Sequence, residues 1–167
     1  AFADEIFHGN PAAVCILGEW LPDALMQSIA AENNLSETAF AVPSGEAYEI
    51  RWFTPENEVA LCGHATLATA HVLFQTREKE AEVLRFLSRE RGALRVYRKD
   101  AWLELDFPSE RLREVPLPRK LGAALGSSPE ACYRGLTDYL LVYPDQAAID
   151  ALDPDRSEEH TSELQSL

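Results

Sequence analysis

Basic residues are in short supply. Lys and Arg number 15 against 28 Asp and Glu, which leaves a net charge of −13. A surface of that sign repels nucleic acid and anionic lipid, so neither is an expected partner. A small anionic metabolite is not excluded, because a helix N-terminus can override the global sign locally. Cysteine is equally sparse. Cys15, Cys62 and Cys132 are odd in number and far apart, which is not a disulfide framework and favours a reducing, cytoplasmic setting. No apolar run is long enough to span a bilayer, and no basic-then-apolar leader opens the chain. Internal repeats and low-complexity segments are also missing. What remains is 167 residues with an ordinary apolar fraction of 46%, enough for one large domain or two small ones.

The two ends read differently from the middle. The chain opens abruptly on strand-like residues. Residues 156–166, RSEEHTSELQS, match in one frame the translation of a common sequencing adapter. They are treated as foreign to the fold, and His160 carries no functional weight. The expected layout is a first lobe over residues 1–107, a linker and the start of a second lobe over 108–155, and the adapter-like tail over 156–167.

Along the first lobe, residues 12–17 form a short apolar run read as a buried strand. Residues 22–33 read as a helix with Pro22 at its start and Asn33-Asn34 at its end. Residues 37–42 alternate as a strand: Glu37, Ala39 and Ala41 on one face, Thr38, Phe40 and Val42 on the other. Pro43-Ser44-Gly45 is a turn, and 47–53 returns as the next strand. Residues 63–74 are small or apolar almost all round, the mark of a buried helix. Strands follow at 81–87, 93–98 and 101–107. The predicted fold class is therefore α+β, with antiparallel strands wrapped around one central helix. Residues 108–118 are proline- and charge-rich and read as a linker. A short helix at 119–125, a strand at 139–143 and a helix from 146 follow it.

Three places carry residues suited to chemistry. Glu37 shares a strand face with two alanines. If that face is inward, the carboxylate is poorly solvated and suited to taking and giving a proton; on an outward face it is an ordinary solvated acid. Gly63-His64 opens the buried helix. Glycine lets a ligand approach the helix N–H groups, and His64 can meet a carboxylate; the plain alternative is a capping turn. Cys62 directly precedes them. It is either a small buried apolar residue or a thiolate base with its pKa lowered by the helix end. Cys62, His64 and His71 suggest zinc, but no second ligand cluster completes a site, so no metal is expected and His71 reads as a hydrogen-bonded core histidine. Asn10, in Gly9-Asn10-Pro11, precedes the first strand as a turn residue or a site-lining one.

Three blocks, Asn33–Phe40, Arg51–Pro55 and Cys62–Ala68, closely resemble in this order the PhzF family, named for phenazine biosynthesis. The resemblance covers roughly residues 1–155, with its specific motifs in residues 1–74. It implies a diaminopimelate epimerase-like fold of two pseudo-symmetric lobes and a cofactor-independent isomerase or epimerase shifting a proton on a small carboxylate. Under it Glu37 is the acid/base, and Gly63, His64 and Asn10 contact substrate. Diaminopimelate epimerase itself uses two cysteines, so a two-base racemase built on Cys62 is the first alternative. A non-catalytic small-molecule binding protein of the same fold is the second, and a homodimer is compatible with either. The family's second lobe supplies an aspartate and a Gly-Ser anion loop, neither of which is found here. The chain by itself is therefore expected to be inactive and prone to associate.

Overall fold

A computed structural model describes residues 1–155 apart from 4, 6 and 137. The adapter-like segment lies outside the described residues. The chain divides into two compact units, Ala1–Pro108 and Ser109–Leu167.

The first unit is one sheet with a helix on each face. Its strands are β1 (Ala12–Ile16), β2 (Glu37–Ser44), β3 (Ala47–Phe53), β4 (Glu58–Val59), β5 (Val83–Ser88), β6 (Gly92–Lys99) and β7 (Trp102–Asp106). Its helices are α1 (Asp23–Asn33) and α2 (Gly63–Thr76). The order across the sheet is β1-β2-β3-β5-β6-β7, with β4 paired to β3. The expected α+β architecture is present, but the sheet is mixed rather than antiparallel throughout. β1 pairs β2 in parallel, and β3 pairs β5 in parallel. Parallel neighbours need a long crossover, and each helix supplies one: α1 between β1 and β2, α2 between β3 and β5. Both crossovers step the same way across the sheet, while β3 runs opposite to β1 and β2. A single right-handed rule then places the helices on opposite faces.

The cores agree with that placement. Ala39, Ala41 and Trp52 pack with Ala65, Ala70 and Leu73 of α2. Phe40 and Phe53 pack with Met26 and Ala30 of α1. The alternation in residues 37–42 is thus the division between the two helices. Alanine at 39 and 41 lets α2 approach the sheet closely, and Glu37 begins that same face. Gly45, at φ +63°, makes the tight β2–β3 turn, a conformation side-chain-bearing residues rarely adopt.

Arg51 ties this unit together beneath α1. It is 2% exposed, donates twice to Glu58 at 2.6 Å and once to Asp23 at 2.8 Å, and lies over the Trp20 and Phe53 rings. The two carboxylates hold its pKa above the ordinary arginine range. Glu58→Gln keeps the shape and removes half the compensation. Because Glu58 is itself 34% exposed, solvent replaces part of what is lost. The expected destabilisation is about 1–3 kcal/mol, measured by urea unfolding. A change near zero would show that the pair contributes nothing.

In the second unit, β8 (Arg113–Glu114), β9 (Ala131–Arg134) and β10 (Tyr139–Val142) form an antiparallel sheet in the order β10-β9-β8. Among the described residues it is accompanied by α3 (Arg119–Leu125) and α4 (Gln146–Asp150). The proline-rich segment that reads as linker contains β8, and β9 is a strand that the sequence pattern does not announce.

Candidate active site

The site is built where β2 begins and α2 begins. Glu37 is the first residue of β2 and lies opposite Ala12 of β1. Cys62 is the extended residue just before α2, and Gly63 and His64 are its first two positions. The carbonyl of Cys62 accepts from both the N–H and the hydroxyl of Thr66, which fixes the helix entry. His64 is 8% exposed. Its Nε2 lies 3.1 Å from Glu37 Oε2, and its Nδ1 lies 3.4 Å from Cys62 Sγ. The thiol and the carboxylate thus meet different ring nitrogens, and one ligand atom from each of the three groups lies within 4.8 Å of the other two.

The Glu37–His64 contact has the length of an ion pair but not the alignment of a hydrogen bond. Both atoms are buried, and neither has a hydrogen-bond partner among the described residues. Burial lowers the pKa of His64, while the Glu37 charge and the Pro11 carbonyl pull it back up; the net direction is down. The imidazole is therefore neutral at pH 7 and is suited to meeting a substrate group by hydrogen bonding.

The same shift makes stability depend on pH. The unfolded chain binds a proton at His64 near the ordinary histidine value of 6.5, and the folded chain binds it only at lower pH. Stability is fully present above that value and is lost as pH falls through the folded pKa. Urea midpoints should decline from about pH 7.5 to 5.5 in the wild type, and less steeply in His64→Gln. Parallel profiles for the two proteins would rule out His64 as the titrating group.

Cys62 departs from one expectation. Burial and the Glu37 charge push its thiol up to about 12. The backbone N–H groups of Ala65 and His64 at the helix entry favour the thiolate, and burial outweighs them. The helix end does not produce a ready thiolate base here.

Asn10 is exposed. Its Oδ1 accepts from Ser36 Oγ at 3.2 Å, which brings it to the end of β2 where Glu37 stands. Gly63 is half-buried. A Cβ there would make only an ordinary contact, 3.5 Å from a Phe107 ring carbon, and its φ is not positive. Neither backbone strain nor packing demands a glycine at that position. His71 is exposed and is not a core histidine. With Gln75, also exposed, it marks a solvent stripe on α2 that the apolar composition conceals. Ser36 and Thr66, which hold Asn10 and the helix entry, have no signal in the sequence beyond their nearness to Glu37 and His64.

The α+β unit with an acid at a strand start facing a helix mouth defines the class of fold, and comparison with known proteins gives the family. A family model described as phenazine biosynthesis-like protein, PhzC-PhzF, matches residues 1–166. The chain belongs to this family. It is 54% identical over 156 residues to an uncharacterized isomerase of Pseudomonas aeruginosa, covering 93% of this chain and 59% of that protein. It is 46% identical over 116 residues to phenazine biosynthesis-like domain-containing protein 2 of Mus musculus, covering 65% of this chain and 40% of that one. A crystal structure of a PhzF family protein of Enterococcus faecalis superposes with a TM-score of 0.84 at 49% identity, over 94% of this chain and 60% of that one. A predicted epimerase of Pseudomonas aeruginosa shares the fold at a TM-score of 0.70 and 23% identity. The chain spans about three-fifths of the length of the Pseudomonas isomerase and of the Enterococcus structure. Among the described residues, no helix is long and apolar enough to cross a membrane.

Proposed function

We propose that this chain carries the acid–base lobe of an isomerase that moves a proton on a small carboxylate metabolite without a cofactor. In this reading Glu37 takes the proton from one carbon and returns it at another position or face. The N–H groups opening α2 at Gly63 and His64 hold the substrate carboxylate, and the neutral His64 imidazole donates to a substrate oxygen. Asn10 lines the same end of the sheet. The observation that carries the reading is the buried Glu37–His64 pair, two polar atoms 3.1 Å apart with no hydrogen-bond partner among the described residues. Buried polar groups left this way are the kind a ligand satisfies. The family membership and the isomerase relative support it independently. The raised thiol pKa weighs against Cys62 as the base.

The relatives are longer, so the activity is placed with the protein completed by its second lobe. The test is to incubate that protein in deuterated water with a panel of small carboxylates and to follow mass gain. Deuterium entering one carbon without added metal or cofactor is the expected result. Carboxylate binding with no exchange at any carbon would replace this reading by that of a binding protein.

A further inference from the structure

The geometry points to a second use of the same three side chains: Glu37, Cys62 and His64 form a binding site for a thiophilic divalent cation of the zinc class. One ligand atom from each lies within 4.8 Å of the other two. A carboxylate oxygen, an imidazole nitrogen and a sulfur are the donor set that zinc and cobalt favour. Two of the three already stand at ligand spacing. Zinc bonds near 2.0–2.2 Å to nitrogen and oxygen at a tetrahedral angle put those ligands about 3.3 Å apart, and His64 Nε2 and Glu37 Oε2 are separated by 3.1 Å.

These are also the two atoms that are buried without a hydrogen-bond partner among the described residues. A shared cation satisfies both lone pairs at once, which a proton on one of them does less completely. The sulfur needs to move. It now faces the other ring nitrogen, Nδ1, at 3.4 Å. A tetrahedral zinc wants it about 3.6 Å from both Nε2 and the carboxylate oxygen, so the Cys62 side chain has to turn from Nδ1 toward the Nε2 edge of the ring. On binding, the sulfur–hydrogen bond breaks, the proton leaves to solvent and a sulfur–metal bond forms. Three protein ligands leave a fourth position for water or a substrate carboxylate. An ion held there occupies the carboxylate oxygen that the acid–base reading assigns to the proton, so metal and proton transfer exclude each other. Metal binding does not depend on that reading, and the optical test below reads no turnover, so either can fail alone.

The experiment is a cobalt titration of the full chain. One ion per chain should bind with a sulfur-to-cobalt charge-transfer band in the near ultraviolet. Cys62→Ser should abolish the band while far-ultraviolet dichroism stays native. His64→Gln and Glu37→Gln should each weaken cobalt and zinc binding at least about tenfold, since losing even an outer-shell partner has that effect. Cys15→Ser and Cys132→Ser should keep the band. His8→Gln should keep it too, which sets aside the exposed His8–Glu5 pair as the binding site. A band that survives Cys62→Ser, no band at all in the wild type, or unchanged affinity in both His64→Gln and Glu37→Gln would overturn the assignment.

Discussion

In the protein completed with its second lobe, Glu37→Gln should lower turnover by roughly a hundredfold or more while leaving substrate binding within a few-fold, the scale of a lost general acid–base group. The substitution keeps the size and shape of the side chain and replaces the titrating carboxylate with an amide that neither takes nor gives a proton. Glu37 sits at the start of β2 with its carboxylate against the His64 ring. The apolar packing of β2 on α2 should not change, because Ala39 and Ala41 supply it and Glu37 meets the helix only at the His64 ring. Steady-state kinetics would show kcat falling with KM nearly constant. His64→Gln should act differently and raise KM as well, because His64 is assigned to hold substrate. Turnover in Glu37→Gln close to wild type would remove Glu37 from the acid–base role.

The second large effect belongs to the core. Leu73 is fully buried and Phe74 is 4% exposed, both on α2. Phe74 also lies beneath the Arg98 guanidinium, whose centre is 4.4 Å from the ring, and Arg98 donates to the carbonyls of Phe74 and Glu78 at the end of the helix. Leu73→Ala or Phe74→Ala should destabilise the first unit by about 2–5 kcal/mol in urea unfolding, the range for emptying a filled core position. Leu67, which is only half-buried, should lose less when truncated to alanine. A loss below about 1 kcal/mol at Leu73 would mean that α2 is not the centre of the unit.

The faces of β2 are legible in the sequence, because the alternation at residues 37–42 separates the side chains that meet α2 from those that meet α1. Likewise, Trp52 and Phe53 fall in different cores, as adjacent residues of a doubly covered strand must. The site is legible as far as it is local, since Cys62, Gly63 and His64 are contiguous at one helix entry. Pairing direction is not legible. Whether β3 neighbours β5 in parallel depends on where α2 crosses, and no residue pattern within either strand encodes that. Two-residue strands such as β4 and β8 have no period to detect, and β9, Ala-Cys-Tyr-Arg, shows no clean alternation. The apolar composition of α2 hides the exposure of His71, because a helix between a sheet face and solvent keeps one stripe outside even when few polar residues mark it. The raised thiol pKa of Cys62 is hidden for a related reason. Its position at a helix end is visible in sequence, but its depth and its nearness to Glu37 are properties of the fold.

If the Glu37–His64 pair is where a substrate carbon exchanges its proton, a crystal structure of the completed protein with a small carboxylate bound tests it most directly. The expected structure has the ligand carboxylate on the helix N–H groups opening α2 and an acidic carbon about 3–3.5 Å from the Glu37 carboxylate, the separation of groups poised to react. A carboxylate bound away from α2, with Glu37 and His64 still facing only each other, would contradict that role.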